Sequence, residues 1–354
     1  MRGQFINLQR FASIAELFSQ PDVLDYVRNR QYKPFMGDAL FPARRTQSLK
    51  LDQIYAGNRI PVIAHVSAFD TEAEIGSRQA DKLSLELALI KRKMQLKEED
   101  LIALQSPRNA AEANYMQSRV FDDIDSLVQG VLAQVEKMSM DALATGTVEV
   151  VDPDTKQKAT FDYQVPSAHK ADLTGKSGTT WDNDSADPIK DITDWADAMD
   201  VTGTRVLTSK KIYRLLTRNA SVLKAVYGTS TRALGQGDFD AFMQAQGLPI
   251  IRTYDDKYNE QVGNTLVSHR YFPEDAFVIM SDDTPGEKVF GPTPDEVTGL
   301  NDPAVQKQSI GNVFAKVYSA GEDPVGVWEK ASAVALPSFP GANEVFQAKP
   351  IKLA

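Results

Sequence analysis

The sequence predicts an α+β fold, and three observations point to it. An apolar stripe at three- and four-residue steps runs through Val120, Ile124, Leu127, Val128, Val131, Val135 and Met138, the periodicity of one long helix. Short runs on both sides of it alternate apolar and polar residues with the two-residue period of strands. Helices and strands follow one another without the strand-helix rhythm of a doubly wound sheet.

Residues 14–30 carry helical patterns through Ile14, Leu17, Val23, Leu24 and Val27, interrupted at Pro21, and predict two small helices in an N-terminal arm. The prolines and aromatics of Lys33-Pro34-Phe35 and Leu40-Phe41-Pro42 predict an extended, docked segment. Alternation over residues 46–52, a turn at Gly57-Asn58, and renewed alternation through Ile60, Val62, Ala64 and Val66 predict a long two-stranded ribbon. Its tip is Tyr55, Ala56, Gly57, Asn58 and Arg59. Leu83, Leu85, Leu87 and Leu89 return to the body, and Lys97-Glu98-Glu99-Asp100 reads as an acidic helix start. An isolated ribbon buries little on either face and needs a surface to lie on.

The central stripe predicts a helix from about Asn109 to Ala144, stopped by Gly146 and roughly 50 Å long at ~1.5 Å per residue. Its core face is Ile124, Leu127, Val128, Val131, Val135 and Met138. Beyond it, residues 147–151 and 160–165 flank a turn and predict a hairpin, followed by a polar loop over 169–188. Next come a helix over 191–199 with Ile192, Trp195 and Met199 on one face, a strand over 204–207, a helix over 209–216 opened by a Ser209 cap, and a glycine-rich loop over 228–237. Strands are expected at 249–253, 277–280, 314–319 and 325–327.

Composition removes whole classes of mechanism. The absence of cysteine excludes disulfides, thiolate nucleophiles and cysteine-bound zinc. A formal net charge of -9 argues against a surface that grips nucleic acid throughout, yet residues 1–45 carry +3, leaving -12 for the rest. No secretory signal or membrane-spanning run is present. Gly175-Lys176-Ser177 resembles the end of a phosphate-binding loop, but Lys170 stands where the earlier glycine belongs. Asp182, Asn183, Asp184 and Asp187 suggest a calcium loop that Ala186 breaks. His65, His169 and His269 form no ligand pattern, and no nucleophile elbow occurs. No cofactor or metal site is therefore expected.

The order of features resembles the major capsid protein E family of lambda-type tailed phages, over nearly the whole chain. The residues that carry the likeness are Leu40-Phe41-Pro42 ahead of the ribbon, Ile90-Lys91-Arg92-Lys93 leading into Leu96-Lys97-Glu98-Glu99-Asp100-Leu101, and the helix end before Gly146. Phe161-Asp162-Tyr163, Trp181 before Asp187-Pro188, Val289-Phe290-Gly291-Pro292, and Asp323-Pro324-Val325 ahead of Ala335-Leu336-Pro337 continue it. The resemblance implies a Hong Kong 97-type capsid fold. In it, residues 1–43 are the N-terminal arm and 44–96 the extended loop that reaches over a neighbour. Residues 97–190 are the peripheral domain with its spine helix, 191–321 the axial domain, and 322–354 a C-terminal return to the peripheral domain.

It further implies a major capsid protein, not an enzyme, that assembles in the host cytoplasm as hexamers and pentamers into an icosahedral virion shell around packaged double-stranded DNA. The implied partners are a scaffolding protein, a portal protein and a decoration (cement) protein, with no membrane. With no long helical segment ahead of the arm, the scaffold is expected to be separate. Arg2, Arg10, Arg28 and Arg30 are the candidates for contact with DNA or scaffold. The alternative readings are an encapsulin-like cellular shell protein and a soluble hydrolase built from scattered carboxylates.

Overall fold

The computed structural model describes residues 20–56, 80–96, 100, 108–151, 158–175, 180–229, 232–299, 312–320 and 326–353. The first expected arm helix, Arg2, Arg10, the turn at Gly57-Asn58, Arg59 and the helix start at 97–99 lie outside them.

Helix α1 (Gln20–Asn29) carries Pro21 in its first turn, where the missing N–H needs no partner, and buries Val23, Leu24 and Val27. One turn of helix, α2 (Gly37–Leu40), interrupts the segment expected to be extended. Its cause is Gly37, whose backbone N–H donates to Glu136 Oε1 at 3.0 Å; a Cβ there would run into that carboxylate. The docking itself is as expected, with Leu40 and Phe41 buried.

Strand β1 (Ala43–Arg45) leads to β2 (Lys50–Ala56), β3 (Ala80–Glu86) and β4 (Ala88–Leu96). The partner of β2 is β3, antiparallel; the alternating run through Ile60, Val62, Ala64 and Val66 lies outside the described residues. Leu51 lies opposite Leu85, and both are buried, so this register keeps the ribbon's base on one apolar face. Among the described residues, β2 and β3 pair with no other strand.

Helix α3 (Ala110–Thr145) is the long helix of the sequence, 36 residues or about 54 Å at ~1.5 Å each. Both ends are encoded locally. The Asn109 side chain accepts the Glu112 N–H at 2.8 Å while the Glu112 carboxylate accepts the Arg108 N–H at 2.6 Å. Gly146 closes the other end at φ 73°, where a Cβ would press on Val165.

The expected hairpin follows as β5 (Thr147–Val151) and β6 (Lys158–Asp162), then β7 (Lys170–Asp172). Helix α4 (Pro188–Asp197) starts earlier than periodicity suggested, because the Asp187 side chain caps it and Pro188 takes the first helical position. After β8 (Arg205–Thr208), α5 (Lys210–Arg218) opens on Ser209 as read. Helix α6 (Ala220–Tyr227) is capped by Asn219 and closed by Gly228. Helix α7 (Gln236–Ala245) starts inside the last part of the expected loop.

Strands β9 (Ile250–Thr253), β10 (Lys257–Val262), β11 (Thr265–Arg270), β12 (Phe277–Met280) and β13 (Glu287–Gly291) precede α8 (Pro294–Gly299). The chain ends with β14 (Phe314–Ala320), β15 (Gly326–Ser338) and β16 (Val345–Lys349). The strand expected at 325–327 is thus the start of a 13-residue one.

Two five-stranded sheets organise these elements. In the first, β15 is bordered by β4 on one edge and by β14 and then β13 on the other, and β1 adds in parallel to β13. In the second the order is β7-β16-β12-β8-β9. Helix α3 packs with the first sheet in one apolar core. It also touches the second, where Gln347 Nε2 of β16 donates to the Leu143 carbonyl at 2.8 Å. A separate core lies under α4 to α7, with Trp195 stacked between Trp181 and Phe346 at centroid distances of 5.4 and 5.7 Å.

Glu329 of β15 is fully buried, and neither carboxylate oxygen has a hydrogen-bond partner. Met94 of β4 and Val317 of β14 flank it, and Asp123 and Arg119 are the charged groups of α3 that act on it. Burial first, then Asp123, pushes its carboxyl up to about 8, against the opposing pull of Arg119. The native state therefore holds a proton that the unfolded chain releases near pH 4.5. The stability from this site is fully present below that pH and is lost as pH rises through about 8.

Glu329→Gln should accordingly flatten the fall in unfolding free energy between about pH 4.5 and about pH 8, by on the order of a few kcal/mol across that window. Parallel pH profiles for variant and parent would sink this account. Leu127→Asn, at a position 1% exposed on α3, should cost about 3–5 kcal/mol in urea unfolding. A loss below ~1 kcal/mol would mean that the site tolerates a polar group.

Candidate functional site

Two carboxylates on the apolar side of α3 hold the arm. Glu136 is 0% exposed and receives three donors from three distant segments. Gly37 N–H and the Tyr254 hydroxyl reach Oε1 at 3.0 and 2.9 Å, and Lys288 Nζ reaches Oε2 at 2.7 Å. Lys288, 4% exposed, also contacts Asp38 Oδ1 at 2.5 Å and faces the Phe35 ring at 5.9 Å. Tyr254 stacks on Tyr271 at 6.1 Å, and Phe35 meets Tyr271 edge-on at 5.5 Å. Burial, then the Glu136 charge, pushes the Tyr254 phenol up, so it stays a donor across the physiological range.

Asp125 lies about three helical turns before Glu136 and so on the same side of α3. It accepts the Tyr26 and Tyr32 hydroxyls at 2.9 and 3.1 Å and pairs with Arg30 Nε at 2.9 Å. The Tyr26 ring lies on Phe121 at 4.3 Å. Desolvation, reinforced by Asp125, pushes the Tyr32 phenol up.

The six core positions read from the stripe, Ile124, Leu127, Val128, Val131, Val135 and Met138, are each 1% exposed. Tyr55 and Ala56 end β2 opposite Asp81 and Ala80. Gly57, Asn58, Arg59, Arg2 and Arg10 lie outside the described residues. Arg28 is exposed at the end of α1, and Arg30 turns its guanidinium to Asp125. Sequence reasoning missed Asp125, Glu136, Tyr254 and Lys288. The available signal was an acidic residue directly beside a stripe position, Asp125 after Ile124 and Glu136 after Val135.

At the base of the ribbon, Leu49, Leu89 and Val297 are exposed around an apolar recess of about 580 Å³ that Leu87, Pro292 and Val334 complete. Among the described residues, no group of His, Asp and Glu converges to hold a metal ion, and no helix is long and apolar enough to cross a membrane.

Lys288→Met alone leaves Glu136 buried without its counter-charge and should lower stability by about 3–5 kcal/mol in urea unfolding. The double variant Glu136→Gln/Lys288→Met should recover part of that loss. Strictly additive effects would show that the two side chains act independently.

The model of the family described as phage major capsid protein E matches residues 19–349. The crystal structure of the putative capsid protein of a prophage of Escherichia coli CFT073 superposes with a TM-score of 0.62 at 14% identity, covering 94% of this chain and 99% of that one. The capsid of the myovirus phage XM1 gives a TM-score of 0.44 at 12% identity over 91% of this chain and 95% of that one. The cyanophage A-1(L) capsid gives 0.45 at 14% identity over 90% and 92%. Among curated proteins, none matches the chain in sequence. The fold is the α+β Hong Kong 97-type capsid fold. With its arm clamped to a long spine between two sheets, and its sequence matched almost from end to end, the chain belongs to the phage major capsid protein E family, structural subunits of the tailed-phage virion shell and not enzymes.

Proposed function

We propose that this subunit builds its icosahedral shell as hexamers and pentamers that enclose double-stranded DNA, with the ribbon laid over the adjacent subunit. The observation that carries this reading is the pairing of β2 with β3 alone among the described residues. A two-stranded ribbon anchored at Leu51 and Leu85 has too little apolar contact of its own. A neighbouring copy supplies the missing surface through a heterologous contact that closes into a ring. The apolar recess at the ribbon's base is a second surface suited to that contact.

In this arrangement residues 1–43 serve as the arm, 44–96 as the reaching loop, 97–190 as the peripheral domain, 191–321 as the axial domain around the ring centre, and 322–354 as the return. A separate scaffolding protein directs the precursor shell, a portal protein occupies one vertex, and a decoration protein cements the finished lattice. Arg2, Arg10 and Arg28 of the arm are suited to an acidic partner, DNA or scaffold, whereas Arg30 is engaged with Asp125.

Deleting residues 55–59 should leave the subunit soluble while removing most shells seen by electron microscopy on co-expression with scaffold. Equal shell yields from deleted and intact chains would refute the role given to the ribbon.

A further inference from the structure

The chain is acidic, yet a strongly basic recess lies among its described residues. A cavity of about 600 Å³ beside α5 is lined by seven cationic side chains against three carboxylates, a local balance of +4 where the whole chain carries -9. Two of the three carboxylates are engaged, and the third, Asp182, is exposed. Asp255 pairs with Arg270, and Glu274 bridges Arg270 and Lys211 at 3.3 and 3.2 Å. Lys210, Arg214, Arg218, Lys257 and Lys352 are exposed there and form no ion pair among the described residues.

Three of these cations, Lys210, Arg214 and Arg218, follow one another at four-residue steps along α5, while Ile212 and Leu216 are buried beneath. That places a charge about every 6 Å along the helix, at ~1.5 Å per residue, a spacing suited to successive phosphates of a strand. Lys257 at the start of β10 and Lys352 after β16 add charge from two other segments, so the cations converge on a concavity.

We propose that this recess binds the phosphate backbone of double-stranded DNA. The assignment rests on the reading that the shell encloses DNA, and it gives that reading a site outside the arm. A protein partner is the less suitable occupant. Stable protein interfaces centre on apolar or aromatic anchors in a desolvated pocket. Here the apolar lining is Ile351, fully buried, and Leu215, half-buried. Beside the exposed Asp182 carboxylate, the accessible lining is made of the aliphatic stems and charged heads of lysine and arginine, whose guanidinium and ammonium groups neutralise phosphates irrespective of base sequence. Binding should therefore be sequence-independent and strongly salt-dependent.

The test uses full-length subunits, a fluorescent 30-base-pair duplex and fluorescence anisotropy across a salt series. The triple variant Lys210→Ala/Arg214→Ala/Arg218→Ala should weaken binding at least tenfold near 0.1 M salt. It should also reduce the slope of log affinity against log salt by about 2–3, at ~0.9 for each phosphate no longer neutralised. The charge-preserving set Lys210→Arg/Arg214→Lys/Arg218→Lys should retain the parental slope, and matched melting temperatures exclude misfolding as the cause. An unchanged slope in the alanine variant would overturn the proposal. So would loss of binding to a polyglutamate peptide with duplex binding intact, which would make the recess a dock for an acidic protein. Electron microscopy of the parent chain judges the shell reading separately, because shells can form with or without a DNA contact at α5.

Discussion

The buried Glu136–Lys288 pair is the constraint on which the placement of the arm, spine and first sheet depends. An ion pair taken out of water gains little net stability over a well-packed apolar pair of the same size. Its effect here is geometric. The Glu136 carboxylate has two oxygens, and its donors come from Gly37, Tyr254 and Lys288, so each of these segments must reach α3 at one fixed height. A one-residue slip of β13 would turn Lys288 to the other face of its sheet and leave a buried carboxylate uncompensated. Asp125 repeats the device with Tyr26, Tyr32 and Arg30, so the arm is located along the spine at two points.

The elements legible in the sequence are those whose ends carry their own chemistry. Helix α3 was readable at both ends because Asn109 and Gly146 are local signals, and α5 because Ser209 caps it. Only the start of β15 is legible in the sequence, because Ala331, Ala333 and Ala335, among its buried positions, have weak strand preference. Its extent is set by β4, β13 and β14, which come from elsewhere in the chain. Alternation marks the ribbon in the sequence, but its register, with Leu51 opposite Leu85, rests on burial that no local pattern encodes.

The clamp was hidden for a related reason. Nothing local separates Glu136 from the many solvated acidic residues of the chain; only the arrival of Lys288, far away in sequence, makes it special. Glu329 is the converse case, a carboxyl on the buried face of β15 with no hydrogen-bond partner among the described residues, where burial and Asp123 outweigh the pull of Arg119 and favour the protonated form. One core thus handles two carboxylates in opposite ways, by pairing one and by protonating the other.

Strand β15 also sets a timetable. Leu96 of β4 waits for Val327, and Arg44 of β1 waits for Val289, so the first sheet joins strands made more than 230 residues apart. Contacts of such long range form late and slowly, after loop closure has been met. A nascent or truncated chain lacks the strand to which β4 attaches, and with it the platform that carries the ribbon. The platform that carries the ribbon is therefore complete only once the C-terminal strands have been made.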